Sequence, residues 1–210
     1  MGLRTPAERA AAILAESGAI VTDSHIVYTS GRHGSAYVNK DAVYPHTDRV
    51  SELCRLIAEA VASYEIDIVC GPATGAIILT QWTGHHLGRP AVYAEKAAEG
   101  GMVLRRGYDR LVAGERVLLV EDVLNTGGSL RETVRAVEVA GGRVVVAAAL
   151  VNRGGVTAAD VGAPALVSLL TLPLDSWTAA ECPLCRTGVP VNTDVGKGRE
   201  FVRATTPSAT

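Results

Sequence analysis

Five short, largely apolar runs constrain this chain more than any other feature: Ile66–Val69, Ala91–Ala94, Val117–Val120, Val144–Val151 and Leu166–Leu170. A strand with one wet face alternates apolar and polar residues, whereas these runs do not. They suit strands buried on both faces, and a sheet is buried on both faces when helices cover it. Helical periodicities and loops separate the runs. The expected fold class is therefore α/β, a central mostly parallel sheet flanked by helices, with a small N-terminal hood or flap over it. The longest run is far too short to cross a bilayer, so no membrane association is expected.

The segments between the runs fit this plan. Thr5-Pro6-Ala7-Glu8 has capping-box spacing with proline at the first helical position, and Gly18 is the expected stop. Val50, Leu53, Cys54, Ile57, Ala60 and Val61 recur at three- to four-residue spacing, predicting a core-facing helix. Leu130, Val134 and Val137 line one face of another, which ends at Gly141-Gly142. The polar segment TSGRHGSAYVNKD reads as a hairpin or ordered loop. With 210 residues in all, the expectation is a single domain over 1–195 with a hood about 19–45, a core about 47–172 and a fraying tail at 196–210.

A net charge of −2 and the lack of a long basic run argue against a nucleic-acid partner. The N-terminus has no uninterrupted apolar core of the signal-peptide kind. Four cysteines without such a signal suggest reduced thiols and a cytoplasmic location. Cys182-Pro-Leu-Cys185 has metal-ligand spacing, yet one such pair supplies half of a tetrahedral zinc site, and a tight turn with two thiols is the simpler reading. His85 and His86 are adjacent on a predicted helix and make a poor metal pair.

The chemistry concentrates in Val117–Ser129 (VLLVEDVLNTGGS). An apolar strand meets two adjacent acids, Glu121 and Asp122. Val123 and Leu124 lead into a turn of Asn125, Thr126, Gly127, Gly128 and Ser129, where an amphipathic helix begins. A helix start offers unpaired amides and the positive end of the dipole to a phosphate. Acids beside such a cradle would repel the phosphate unless they face sugar hydroxyls or Mg²⁺. A Walker loop requires Gly-Lys-Ser/Thr, and a dinucleotide fingerprint puts its acid about twenty residues after the glycines. Here the acids precede them.

This segment resembles the phosphoribosyl pyrophosphate (PRPP) signature of type I phosphoribosyltransferases. Thr29–Asn39, Gly71–Gly75 (GPATG), Asn152-Arg153 and Glu181–Val189 are similar to orotate phosphoribosyltransferases in particular. The resemblance implies that Glu121 and Asp122 hold ribose hydroxyls while Thr126–Ser129 cradle the 5′-phosphate. Thr74 and Gly75 of the GPATG loop would bind pyrophosphate, with Lys96, Arg105 and Arg106 on a long glycine-bearing connection between Glu95 and Glu115. Lys96 and Asp122 would be catalytic. Arg153, Asn125 and Tyr37 would contact orotate, and Arg32 and His33 fall in the segment covering the base, although His33 reads equally as a plain loop residue. Mg²⁺ would be held by PRPP, with Glu121 and Asp122 as possible additional ligands. The family loop reaches across a homodimer into the neighbouring site.

Three features depart from the usual orotate pattern: Thr29 replaces a lysine, no Lys-x-His pair follows Lys96, and Asn125 replaces a threonine. Glu95-Lys96…Met102…Arg105-Arg106-Gly107 follows the pattern of a smaller group. The implied activity is transfer of the phosphoribosyl group to orotate in pyrimidine synthesis. The alternatives are another nucleobase or small heterocycle as acceptor, or a non-catalytic PRPP-binding regulator.

Overall fold

The structure, a computed structural model, describes residues 5–172 and 174–205. The chain opens with α1 (Pro6–Glu16) and four two-residue strands, β1 (Ile20–Val21), β2 (Ile26–Val27), β3 (His33–Gly34) and β4 (Tyr37–Val38). There follow α2 (Thr47–Ala60), β5 (Ile68–Pro72), α3 (Ile77–Leu87), β6 (Ala91–Lys96), β7 (Met102–Val103) and α4 (Tyr108–Val112). The remainder is β8 (Arg116–Leu124), α5 (Gly128–Val139), β9 (Arg143–Asn152), α6 (Ala158–Val161), β10 (Leu166–Thr171), α7 (Pro183–Arg186) and α8 (Gly198–Thr205). The described residues divide between two compact units, one of 5–13 and 44–172, the other of 14–43 and 174–205.

The first unit holds a six-stranded sheet in the order β10-β9-β8-β5-β6-β7. All its pairings are parallel except that of β7, which returns antiparallel along β6. Ile68, Cys70, Val117, Leu119, Ala147 and Ala149 pack in one cluster with Leu130, Val134 and Val137 of α5. The alternate residues Val69, Leu118, Val120, Val146, Ala148 and Leu150 are equally buried. Successive strand side chains point to opposite faces, so both faces are covered and no alternation is needed. A register shift between Val117 and Leu118 brings Val144 and Ala147 of β9 into the same cluster despite their odd spacing.

The helices form for the reasons their sequences suggest. Thr5 and Glu8 cap α1 reciprocally, the Thr5 amide donating to Glu8 Oε2 at 2.7 Å and the Glu8 amide to Thr5 Oγ1 at 3.2 Å. On α2, Val50, Leu53, Cys54 and Ile57 are buried and Val61 caps the end, while Ala60 is exposed. Leu130, Val134 and Val137 are all buried; truncating a side chain such as Leu130 to alanine typically costs about 2–5 kcal/mol.

In the second unit β1 pairs with β4 and β2 with β3, both antiparallel. The C-terminal stretch is stitched to them. The Asn192 amide donates to the His25 carbonyl at 2.8 Å, the Lys197 amide to Val27 at 2.7 Å, and His33 and Trp177 exchange backbone hydrogen bonds at 2.8 Å. The expected hood is thus one half of a unit whose other half comes from the C-terminus. Where the sequence suggests a fraying tail, Gly198–Thr205 is helical, and the Phe201 ring stands edge-on to His33 with centroids 4.8 Å apart. Residues 206–210 of that tail lie outside the described residues.

Candidate active site

Strand order decides where a ligand can sit. From β5 the chain moves to β6 on one side, then returns to β8 on the other side and continues to β9. The crevice beyond the carboxyl ends of β5 and β8 is therefore a topological switch point, where open α/β sheets bind ligands. The neighbouring strands β6 and β9 end on the same edge, so four consecutive ends deliver Lys96, the Pro72–Gly75 turn, the Glu121 segment and Asn152-Arg153.

β8 is longer than its apolar run. It continues to Leu124, so Glu121 and Asp122 lie within the strand rather than at its end, and both are buried, at 6% and 7% exposure. Glu121 pairs in register with Ala149 of β9, and its Oε1 accepts the Asp122 amide at 3.1 Å. Asp122 Oδ1 accepts the amide of Val123 at 2.5 Å. Carboxylates held this deep demand compensating partners when charged.

The Asn125–Gly127 loop follows, and α5 starts at Gly128. Gly127 has φ +70°, and a Cβ there would lie 2.6 Å from Val161 Cγ1, so both conformation and space require glycine. The first amides of α5 have no intrahelical acceptor. Glu121, Val123, Leu124, Asn125, Thr126, Gly127, Gly128 and Ser129 line one cavity of about 280 Å³, joined by Lys96 and Glu132. Among the described residues Asp122 is not part of that lining. Glu132 was not anticipated; it lies three residues after Ser129, so helical spacing from the loop is the signal that points to it. The cavity thus combines an amine, two carboxylates and a helix start.

Other expected residues are not part of this cavity's lining. Thr74 and Gly75 form the turn between β5 and α3, where the Ala73–Thr74 peptide is cis and Tyr44 donates to the Gly75 carbonyl at 2.6 Å. Arg153 is half-buried just after β9. The connection expected as a long loop from Glu95 to Glu115 is a hairpin of β6 and β7 followed by α4, in which Glu95 opposes Val103 and Lys96 opposes Met102. On it, Arg106 binds Glu95 through Nη2–Oε1 at 2.9 Å, and Arg105 Nε lies 3.9 Å from the same carboxylate. Glu95 pushes the Arg106 guanidinium pKa further up, chiefly by hydrogen bonding. Arg106 also has φ +62°, an uncommon conformation for a side chain of its size.

The remaining residues lie in the second unit. Tyr37 is half-buried on β4, and Arg32 donates from its guanidinium to Ser176 Oγ and to the Ser176 carbonyl. His33 is fully buried on β3 rather than a plain loop residue. Cys182 and Cys185 stand beside His25 and His33. A larger cavity in the first unit, about 490 Å³, is lined by Met102, Leu104, Ala136, Val139 and other mostly apolar groups. Arg110, Arg135 and Asp109 also line it, but it lies away from the carboxyl ends of β5 and β8 and from the start of α5.

Residues 39–168 match the phosphoribosyl transferase domain. The chain is 41% identical over 179 residues to the orotate phosphoribosyltransferase of Pelotomaculum thermopropionicum, covering 85% of this chain and 92% of that protein. It is 38% identical over 169 residues to that of Caldicellulosiruptor bescii, covering 80% and 87%. The fold is similar to the crystal structure of Mycobacterium tuberculosis orotate phosphoribosyltransferase in complex with PRPP, with a TM-score of 0.61, 28% identity, and coverage of 80% of this chain and 96% of that one.

Proposed function

Since the chain belongs to the phosphoribosyl transferase family, among the orotate phosphoribosyltransferases, we propose that it transfers the phosphoribosyl group of PRPP to orotate, giving orotidine 5′-monophosphate and pyrophosphate. The observation that carries this reading is the cavity in which Glu121, Lys96 and the Asn125–Ser129 helix start converge.

In this reading the amides of Thr126–Ser129 and the hydroxyls of Thr126 and Ser129 hold the 5′-phosphate. Glu121 and Asp122 accept hydrogen bonds from the ribose hydroxyls. Orotate N1 bonds to the ribose C1 as the C1–oxygen bond to pyrophosphate breaks; the bonding electrons leave with the pyrophosphate, and the N1 proton passes to solvent. Lys96 stabilises the charge building on the departing oxygens, with Thr74 and Gly75 donating beside it. Arg153 pairs its planar guanidinium with the orotate carboxylate, and Asn125 meets the base with both a donor and an acceptor. No covalent nucleophile is required, because positioning and charge stabilisation are what such a transfer needs.

Glu121 and Asp122 supply hard carboxylate oxygens, the donors Mg²⁺ prefers, so the residues fit a magnesium ion arriving with PRPP. When bound, Mg²⁺ neutralises charge on the diphosphate. Arg105 and Arg106 lie outside this cavity's lining; in this reading they serve the diphosphate of a neighbouring subunit's site in a homodimer. A cytoplasmic location accords with the thiols, all four of which are free, and among the described residues no helix is long and apolar enough to cross a membrane.

The test is to mix protein, Mg²⁺, PRPP and orotate and to follow orotate absorbance. Loss of absorbance with equimolar pyrophosphate supports the reading; saturable PRPP binding without turnover contradicts it.

A further inference from the structure

In the second unit, the ligand atoms of His25, His33, Cys182 and Cys185 all lie within 4.8 Å of one another. We propose that these four side chains bind one zinc ion as a closed structural centre that ties the two halves of this unit together. The centre is separate from the transfer chemistry and does not depend on it.

The distances suit a tetrahedral ion. Zinc–sulfur bonds of about 2.3 Å and zinc–nitrogen bonds of about 2.0–2.1 Å put the nitrogen–sulfur edges at about 3.5–3.6 Å. Here Cys182 Sγ is 3.5 Å and Cys185 Sγ 3.6 Å from His25 Nε2, and Cys185 Sγ is 3.4 Å from His33 Nδ1. His25 Nε2 and His33 Nδ1 are 2.8 Å apart, inside the roughly 3.3 Å of a nitrogen–nitrogen edge. A small rotation of either ring opens that gap.

The proton positions point the same way. His25 Nδ1 is 2.7 Å from the Val189 carbonyl. A carbonyl only accepts, so Nδ1 carries the proton and Nε2 turns a lone pair into the cluster. This outer hydrogen bond is the usual device for orienting a histidine ligand. His33 is fully buried, and its Nε2 has no polar partner. Contacts with another imidazole and a thiol at Nδ1 poorly offset the burial of that ring; a metal–nitrogen bond at Nδ1 does better.

The unit also has reason to need the ion. Its strands are two residues long, and its buried apolar residues, such as Leu14, Ile26 and Val38, are no part of the cluster around Ile68, Leu119 and Leu130. Protein units with thin cores commonly rely on metals or disulfides. His25 lies 157 residues from Cys182 and 160 from Cys185, so one ion closes a very long loop. Cys182 caps α7 with Pro183 at its first turn, and Cys185 follows three residues later, which sets both thiols on one side. Two sulfurs and two imidazoles, without a carboxylate, select zinc over magnesium and leave no open position for catalysis. On binding, the two thiols release their protons to solvent, and two thiolates balance the 2+ ion, which suits a buried centre.

The test is elemental analysis of the full-length protein purified without chelators, with Co²⁺ exchanged into metal-free protein as a second probe. The expected result is one zinc per chain, and tetrahedral thiolate–cobalt absorption after exchange. Cys185→Ser, chosen because Cys185 is the exposed ligand, loses the zinc, while His85→Ala, outside the cluster, retains it. A wild-type chain that holds no zinc and takes up none when Zn²⁺ is added overturns the proposal, as does a Cys182–Cys185 disulfide in the intact mass or a folded Cys185→Ser with full zinc. If Cys185→Ser fails to fold, the wild-type metal content and cobalt spectrum decide alone.

Discussion

The backbone amide of Arg153 donates to the carbonyl of Leu124 at 3.0 Å, and the next amide, Gly154, donates to the same oxygen at 3.1 Å. The turn that bears the proposed orotate-pairing arginine is thereby fixed to the foot of the proposed phosphate loop. Asn152 braces that turn from behind, its carboxamide bonding both the carbonyl of Val156 at 2.8 Å and its amide at 3.0 Å. Base and phosphate subsites therefore move as one piece of backbone.

Gly154→Ala tests this linkage. A Cβ at Gly154 would lie 1.6 Å from the Asn125 carbonyl oxygen, so one of the two turns must shift. We expect a stability loss of about 1–3 kcal/mol and a rise in KM for both PRPP and orotate. Thermal denaturation and steady-state kinetics measure it. A rise confined to one substrate contradicts a shared foundation.

Gly127→Ala isolates the phosphate loop. The left-handed conformation costs a non-glycine residue about 1–2 kcal/mol, and the contact with Val161 adds to that. KM for PRPP rises about tenfold or more if about 1.4 kcal/mol of binding is lost, while a chain that still folds keeps its zinc content.

Lys96→Ala and Arg106→Ala separate chemistry from stability. Arg106 is 60% exposed in its pair with Glu95, and exposed pairs contribute about 0–1 kcal/mol, so its loss leaves Tm almost unchanged. Loss of either cation lowers kcat by about 10²–10³ if each stabilises the departing diphosphate. Unaltered kcat in both variants removes these residues from the reaction.

Asp67 makes stability depend on pH. Its carboxylate accepts from the Arg116 guanidinium at 2.7 and 2.8 Å and from the Arg116 amide at 3.0 Å. The guanidinium bonds chiefly hold the carboxyl well below the usual range. A folded pKa below the unfolded value of about 3.9 gives stability that is present above that value and is lost as pH falls through the folded one. The Tm difference between wild type and Asp67→Asn should be constant at neutral pH and shrink below about pH 4. A difference independent of pH contradicts this account.

Cys54 and Cys70 should resist alkylation in the folded protein. Burial pushes both thiols up to about 12, so almost no thiolate exists at neutral pH, and neither sulfur is accessible. Mass spectrometry after iodoacetamide treatment should find both unlabelled until denaturant is added.

The sheet was legible because strands such as Val117–Val120 and Val144–Val151 are buried on both faces and show it in every residue. The signature loop was legible because glycine, hydroxyl and acid residues occur in a fixed local order. Strand ends were not: polarity suggests that β8 ends in Glu121 and Asp122, but backbone pairing with β9 carries it on to Leu124. The Glu95–Glu115 hairpin hid behind its glycines and charges. Least legible was the second unit, where His25 and His33 meet Cys182 and Cys185 only through long-range folding. Its two-residue strands and contacts such as that of Phe201 with His33 leave no periodic trace.

The most direct test is a crystal structure of the protein with PRPP and Mg²⁺. The 5′-phosphate should lie against the amides of Thr126–Ser129, with the ribose hydroxyls on Glu121 and Asp122. A PRPP molecule bound elsewhere, for example in the apolar cavity beside Met102 and Val139, or one whose phosphate avoids the start of α5, contradicts the account.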